Sequence, residues 1–214
     1  MEKILEDLSK LATSTISDAM DKLGIAGTCL SIKPLDYGFR MIGRAFTVKY
    51  GPVGTERGTV GDYIDDVKPG EIVVLDNGGR RDCTVWGDIL TSVAHQRGIG
   101  GTLIDGVCRD TNRSRELAYP IFSVDRFMRT GKDRVQVDGV NVPVSVANIR
   151  VRPADIVVGD ADGALVIPRE IEGKVLQLAQ EIEEAEEGIR KAVASGVKLV
   201  EARKKFGYHD LQHK

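Results

Sequence analysis

Three residues near the middle of the chain have the types and spacing for work on an organic anion. Asp88 is followed by twenty residues and then by the adjacent pair Arg109-Asp110. The planar fork of an arginine donates two parallel hydrogen bonds to a carboxylate, so Arg109 suits a small organic acid. Asp110 offers a hard oxygen to a divalent cation. The pair therefore reads as an anion clamp beside a metal ligand. It reads equally as a local ion pair, which contributes little at a surface. Asp88 opens a predicted helix, where an acid is favoured by the helix dipole alone. The three residues by themselves leave these readings open.

The elements that must position them can be traced in both directions. The stretch GTLIDGVCRDTNRSREL (101–117) starts with a short apolar strand, Thr102-Leu103-Ile104, and the pair stands just past it. Upstream, KPGEIVVLDNGG (68–79) reads as a turn, an apolar strand and a glycine-rich loop. That loop, DNGGRRDCTVWGD (76–88), leads into WGDILTSVAHQRG (86–98), whose apolar residues at 86, 89, 90, 93 and 94 mark one helical face. A glycine loop entering a helix presents free N–H groups and the positive end of the dipole, which is an anion site. A plain connection turned by Gly78-Gly79 is the other reading. Ligands of open parallel sheets gather outside the carboxyl ends of the strands. The loops after 71–76 and 101–105 then share one edge, and Gly87–Leu90 converge with Arg109 on one small anion.

The remainder of the chain supplies the frame. Residues 1–24 read as helical, with Ser14 or Thr15 as cap, a stripe of Ile16, Ala19, Met20 and Leu23, and Gly24 as the stop. AFTVKY (45–50) alternates as a strand, and PIFSVD (120–125) is another. Residues 135–151 alternate around a hairpin signal at Asp138-Gly139. Residues 151–167 read as two strands around a tight turn. From Pro168 the chain is helical and charged, with a solvated face over 181–190. The pattern predicts one α/β domain over residues 1–214, with helices at both ends, a C-terminal helical tail from about residue 168, and parallel as well as antiparallel pairing.

Composition narrows the function. Hydrophobic residues at 42% and charged residues at 29% are those of an ordinary globular protein. A net charge of −2, with both signs mixed along the chain, argues against a nucleic-acid partner. No apolar run approaches the roughly 20 residues of a membrane span. MEKILEDLSK lacks the apolar core of a signal peptide. Cys29, Cys83 and Cys108 form an odd, widely spaced set that suggests reduced thiols in a cytoplasm. Among other candidates, His95 falls on the polar side of its helix, and His209 and His213 belong to the tail. Cys108 reads as strand packing. Trp86 reads as a pocket wall or as core, and Asp18 as a cap or brace of the first helix turn, with no chemistry.

Taken with their flanks, TSTISDAMDKLGIAG, GRAFTV, WGDIL, GIGGTLIDGVCRD and PADIVVGDADGALVIP, these residues resemble the RraA-like family. That family holds the regulator of ribonuclease activity A and the class II 4-hydroxy-4-methyl-2-oxoglutarate aldolases. The resemblance spans most of the chain, and Asp88, Arg109 and Asp110 match the aldolase signature at its spacing. It implies a compact layered β/β/α domain of the swivelling-domain type, assembled as a homotrimer or a dimer of trimers. It implies a lyase that releases pyruvate from 2-oxo acids and decarboxylates oxaloacetate with Mg2+ or Mn2+. Asp110 would be the metal ligand, and Arg109 would hold the substrate carboxylate. The backbone of Gly87, Asp88, Ile89 and Leu90 would bind the same end, and Asp88 would position or deprotonate a water. Glu186, in EEAEEGIRKAV, is the possible counterpart of a glutamate that a neighbouring subunit supplies. The chain departs from the family where a further acid often follows Arg-Asp: here Thr111, Asn112 and Arg113 follow, and the next acid is Glu116. The regulator branch implies the alternative, a non-catalytic protein that binds a ribonuclease of the E type. The chain has no GxGxG-type loop after a first strand, so an S-adenosylmethionine site is not read.

Overall fold

The computed structural model describes residues 2–56 and 58–208. The chain divides into two units, one formed by the chain up to Gly27 and from Glu170 onward, the other by Thr28–Arg169. The predicted N-terminal helix is two helices, α1 (Lys3–Leu8) and α2 (Thr13–Lys22). Ala12 is the N-cap of α2, and neither Ser14 nor Thr15 caps it. Thr15 lies inside the helix, and its hydroxyl donates to Glu183 at 3.2 Å. Gly24 does end α2: at φ +71° its N–H reaches the Asp21 carbonyl, and the Ile25 N–H reaches that of Met20.

The sheet unit begins with β1 (Lys33–Pro34), β2 (Met41–Pro52) and β3 (Ile72–Thr84). Then come α3 (Asp88–Gln96), β4 (Gly101–Cys108), α4 (Thr111–Glu116) and β5 (Ile121–Arg126). The later strands are β6 (Val135–Val140), β7 (Val144–Val146), β8 (Ile149–Val151), β9 (Ile156–Asp160) and β10 (Gly163–Ile167). Eight strands form a mixed sheet in the order β1-β5-β4-β3-β2-β9-β10, with β6 also paired to β2. The run β2, β3, β4, β5 is parallel, and α3 and α4 are crossover helices within it. The pairs β2·β9, β9·β10 and β2·β6 are antiparallel.

Strand side chains alternate between faces, and the two cores follow that period. Phe46, Val48, Val73, Leu75 and Ile104 point to one face, where Trp86 and Ala94 of the α3 region cover them. Ala45, Ile72, Val74 and Leu103 point to the other, beneath Val144, Val146 and Val151 of the β7–β8 hairpin. Helix, large sheet and small sheet are therefore stacked within this unit, as the expected β/β/α layering requires. Burying each valine, leucine, isoleucine or phenylalanine among them contributes about 1.5–3 kcal/mol.

Two expectations are corrected. The stretch 76–84 is the continuation of β3, not a free glycine loop. Gly78 and Gly79 adopt φ +60° and +67°, and the register with β4 shifts between Asp76 and Arg80. The glycines make a bulge that bends the strand and lets it go on, because glycine adopts consecutive left-handed conformations without the steric cost a Cβ brings. Asp138-Gly139 is likewise a bulge within β6, opposite the register shift at Lys49/Tyr50 of β2. The two-residue hairpin turn is Ala147-Asn148, at φ +49° and +64°, between β7 and β8.

Past Pro168 the chain is helical, with a short 3-10 turn, then α5 (Glu172–Ala194) and α6 (Leu199–Lys205). In the helical unit α1 and α2 pack on α5, with Leu5, Leu8, Ile16, Met20, Val175 and Ala179 buried. His209 and His213 lie outside the described residues.

Candidate active site

Of the predicted residues, Asp88, Arg109 and Asp110 meet at the carboxyl ends of β3 and β4. β4 runs to Cys108, which is wholly buried, and burial pushes its thiol above the ordinary range. Cys108 is packing, as its sequence context implies. The next residue turns out of the sheet: the Arg109 N–H donates to the Trp86 carbonyl at 3.0 Å, tying the end of β4 to the entry of α3. Asp110 stands at φ +56°, ψ +37°, a left-handed conformation that aspartate tolerates better than most residues. This reverses the chain into α4 and keeps the Asp110 carboxylate beside Arg109, with Nε to Oδ2 at 3.2 Å. The Asp88 N–H donates to the same oxygen at 3.3 Å. Asp88, Arg109 and Asp110, twenty residues apart in sequence, thus share one corner.

Gly87 makes the corner possible. A Cβ there would stand 2.8 Å from Asp110 Oδ2 and 3.3 Å from Arg109 Nε. Behind it, the Thr84 hydroxyl shares its one proton between the Trp86 and Val107 carbonyls, 2.8 and 3.0 Å away, bracing β3 against β4. Trp86 is buried, stacks on Tyr119, and donates its indole N–H to Thr91 Oγ1 at 2.9 Å. It also borders the cavity, so both sequence readings of Trp86 hold. Arg109 and Asp110 are each about two-fifths exposed, at 39% and 41%. A charge at that exposure keeps part of its hydration and needs no buried counter-ion.

The cavity at this corner holds about 240 Å³, below the roughly 300–1,000 Å³ of drug-sized pockets, so it fits a small ligand. Gly87, Asp88, Ile89, Leu90 and Arg109 all line it. Two expected donors are engaged: the Asp88 N–H bonds Asp110 Oδ2 at 3.3 Å, and the Ile89 N–H bonds the Asp88 carboxylate at 2.9 Å. A ligand that takes the Ile89 N–H must displace Asp88. Val60, Gly61, Thr84 and Thr130 line the same cavity and were not singled out from sequence. Thr84 is placed by the continuation of β3 and Thr130 by an isolated bridge to it. Val60 and Gly61 carry no periodic signal.

Among the described residues no three His, Cys, Asp or Glu side chains form a metal-ligating group, so the structure offers no protein cage of the zinc type. Both contacts of Asp110 fall on Oδ2, which leaves Oδ1 to a cation. One carboxylate completed by waters is the donor set magnesium accepts. Glu186 lies on α5 in the helical unit, 3.5 Å from Arg190. His95 is exposed at the end of α3, as expected.

Comparison with known proteins agrees with this architecture. The family model RraA-like (Aldolase/RraA) matches residues 13–166. A relative from Halalkalibacterium halodurans, named "Putative 4-hydroxy-4-methyl-2-oxoglutarate aldolase", is 34% identical over 90% of this chain and 89% of its own. Protein DlpA of Legionella pneumophila is 39% identical over 97% of the chain, which spans about a third (34%) of DlpA's length. An uncharacterized Pseudomonas syringae protein of known structure superposes with a TM-score of 0.88 at 41% identity, covering 95% of this chain and 98% of that one. Streptomyces coelicolor RraAS2, described as an unusual member of the RNase ES inhibitor RraA family, gives 0.82 at 26% identity, covering 89% and 96%. The chain belongs to the RraA-like family. Among the described residues no helix is long and apolar enough to cross a membrane.

Proposed function

We propose that the chain is a divalent-metal-dependent lyase that releases pyruvate from 4-hydroxy-2-oxo acids of the 4-hydroxy-4-methyl-2-oxoglutarate kind and decarboxylates oxaloacetate. One observation carries this reading: Arg109 and the start of α3 line a small cavity, and Gly87 lets the Asp110 carboxylate close against both beside it. Arg109 holds the C1 carboxylate with a charge-assisted fork. The first N–H groups of α3 add the positive end of its dipole. Asp110 would hold Mg2+ or Mn2+, which supplies Lewis acidity toward the 2-oxo group. Asp88, in this cavity, takes the proton of the C4 hydroxyl directly or through a water. The C3–C4 bond breaks, and its electron pair passes to the pyruvate fragment as an enolate. C4 leaves as an aldehyde or ketone, and the proton returns to C3. Oxaloacetate loses carbon dioxide through the same enolate. Fixed donors cost little reorganisation in the transition state.

The test is pyruvate release from oxaloacetate with magnesium, then after chelation. We expect turnover that vanishes with EDTA and returns with added magnesium or manganese. Undiminished turnover after exhaustive chelation overturns the metal role. A second reading, a protein-binding regulator, draws on the similarity to the Streptomyces inhibitor-family structure; it requires no turnover at all. We further infer a cytoplasmic homotrimer or dimer of trimers, in which Glu186 supports a neighbour's site. Light scattering should then give a mass well above the 23.3 kDa of one chain; a monomeric mass at micromolar concentration overturns the assembly.

A further inference from the structure

The loop between β5 and β6 carries a strong local charge. Residues 125–134, DRFMRTGKDR, hold four cations and two acids, a net charge of +2 in a chain of net −2. Met128 stands in the middle of this loop at 75% exposure. A lone exposed apolar side chain needs no explanation, but this one is held out on a fixed frame. On one side the Phe127 N–H bonds the Cys108 carbonyl at 3.0 Å, and on the other the Arg129 carbonyl accepts the Thr84 N–H at 2.9 Å. Arg134 donates to the Thr130 and Lys132 carbonyls at 3.3 and 3.2 Å, which closes the turn. Among the described residues no salt bridge neutralises Arg126, Arg129 or Lys132. The complement lies on α5. A groove of about 470 Å³ there is lined by Leu11, Gln180, Glu183, Glu184, Glu187, Gly188 and Lys191. Leu11, Gly188 and the hydrocarbon stems of the longer side chains make it apolar inside. Three glutamates against one lysine make it negative. Glu183 and Glu187 already pair with Arg190, and Lys191 stands 3.4 Å from Glu187. Glu184 is exposed and, among the described residues, in no ion pair. An apolar knob between unpaired cations thus matches an apolar groove beside an unpaired acid.

We propose that the 125–134 loop of one copy of this chain seats Met128 in the α5 groove of a neighbouring copy, with Arg126 and Arg129 against Glu184. This rests on the assembly inferred above and names the two surfaces that build it. Burial of the methionine supplies attraction, and a thioether on three rotatable bonds adapts to an irregular groove. The opposite charges speed encounter and fix the register. The loop is ordered before it docks, so little conformational freedom is lost. Loop and groove are different surfaces, so the contact is head-to-tail, the kind that closes into rings. Thr130, two residues past Met128, lines the cavity beside Arg109. The docked α5 therefore arrives at the mouth of that cavity. Glu186 lies on α5 between Glu183 and Glu187 and is carried there with it.

The experiment weighs the full chain by light scattering at micromolar concentration. The unaltered protein should give a mass well above the 23.3 kDa of one chain. Met128→Asp places a charge in the apolar groove, and Arg129→Glu sets like charges face to face, which weakens association by about a hundredfold or more. Glu184→Arg does the same from the groove side. All three positions are exposed, so each variant should keep its circular dichroism while its mass falls toward one chain. Arg129→Glu combined with Glu184→Arg restores opposite charges and should restore the mass. Oxaloacetate turnover should be lost and regained with the mass. A monomeric unaltered protein overturns the assembly and this contact together. An oligomer whose mass none of the three single variants lowers overturns the contact alone, and so does a charge-swapped protein that stays dissociated. Full turnover in a dissociated variant overturns the delivery of Glu186. If no form releases pyruvate the lyase reading falls, and the masses still decide the contact.

Discussion

Two groups of aspartates lie along or just beyond the same two strands, and they are used in opposite ways. Asp88 and Asp110 meet Arg109 in a partly open corner. Asp76 and Asp105 are register partners across β3 and β4, with no arginine between them. Asp76 accepts the N–H groups of Gly78 and Ser145, both at 3.1 Å, and so pins the glycine bulge to the β7 strand. Asp105 accepts the Ala147 N–H, and burial, aided by the charge of Asp76, raises its pKa above the ordinary value. The second pair fastens the β7–β8 hairpin over the sheet. Its lone pairs serve backbone donors, and Asp105 bears a desolvation cost that the corner avoids through its exposure and its arginine. A carboxylate at a strand end is a candidate for chemistry when a cation and open space accompany it. One that closes a turn is architecture.

The contrast can be broken most sharply at Arg109. Arg109→Ala should lower kcat/KM for pyruvate release by about a hundredfold, roughly 3 kcal/mol, while the thermal midpoint hardly moves. Arg109→Lys keeps the charge and loses the fork, so it should recover only part of that. If Arg109→Ala releases pyruvate at the rate of the unaltered protein, the corner is a surface ion pair like any other.

Gly87→Ala tests geometry without removing a charge. The added methyl intrudes on Asp110 Oδ2 and Arg109 Nε, and displacements of this order cost up to about a hundredfold. We expect at least about a tenfold loss of kcat, with magnesium activation weakened in the same titration. Unaltered kinetics in a folded Gly87→Ala protein would show that the crowding is incidental.

The smallest effect is expected at the architectural pair. The raised pKa of Asp105 means that the folded chain binds this proton more tightly than the unfolded chain does. Stability therefore falls as pH rises from the unfolded value, near 3.8, through the folded one. Asp105→Asn keeps an acceptor for the Ala147 N–H and removes that charge. It should shift the urea midpoint upward at about pH 7 and leave it unchanged at about pH 3, with pyruvate release unaffected. An equal shift at both pH values would refute the ionisation account.

Much of this molecule is written locally. The apolar runs at 72–75, 101–104 and 156–158 mark strands wherever they are placed, and Gly24 ends α2 because the left-handed turn belongs to that residue. The position of Arg109-Asp110 just beyond an apolar strand is also a local fact. Other features depend on partners far away in sequence. Gly78-Gly79 and Asp138-Gly139 carry turn signals, yet both became bulges, because β3 and β6 had neighbouring strands to pair with on either side of them. Ile89 follows the helical stripe but is exposed, because its place in the first turn of α3 lies at the cavity rim and Thr91 and Ala94 face the sheet instead. The bond from the Ile89 N–H to Asp88 and the arrival of Val60, Gly61 and Thr130 at the cavity have no sequence signature. Side-chain periodicity reports which face of an element is apolar, and capping reports where it ends. Which elements then become neighbours, and which charges find a counter-ion, is decided only when long loops close and the whole core is packed.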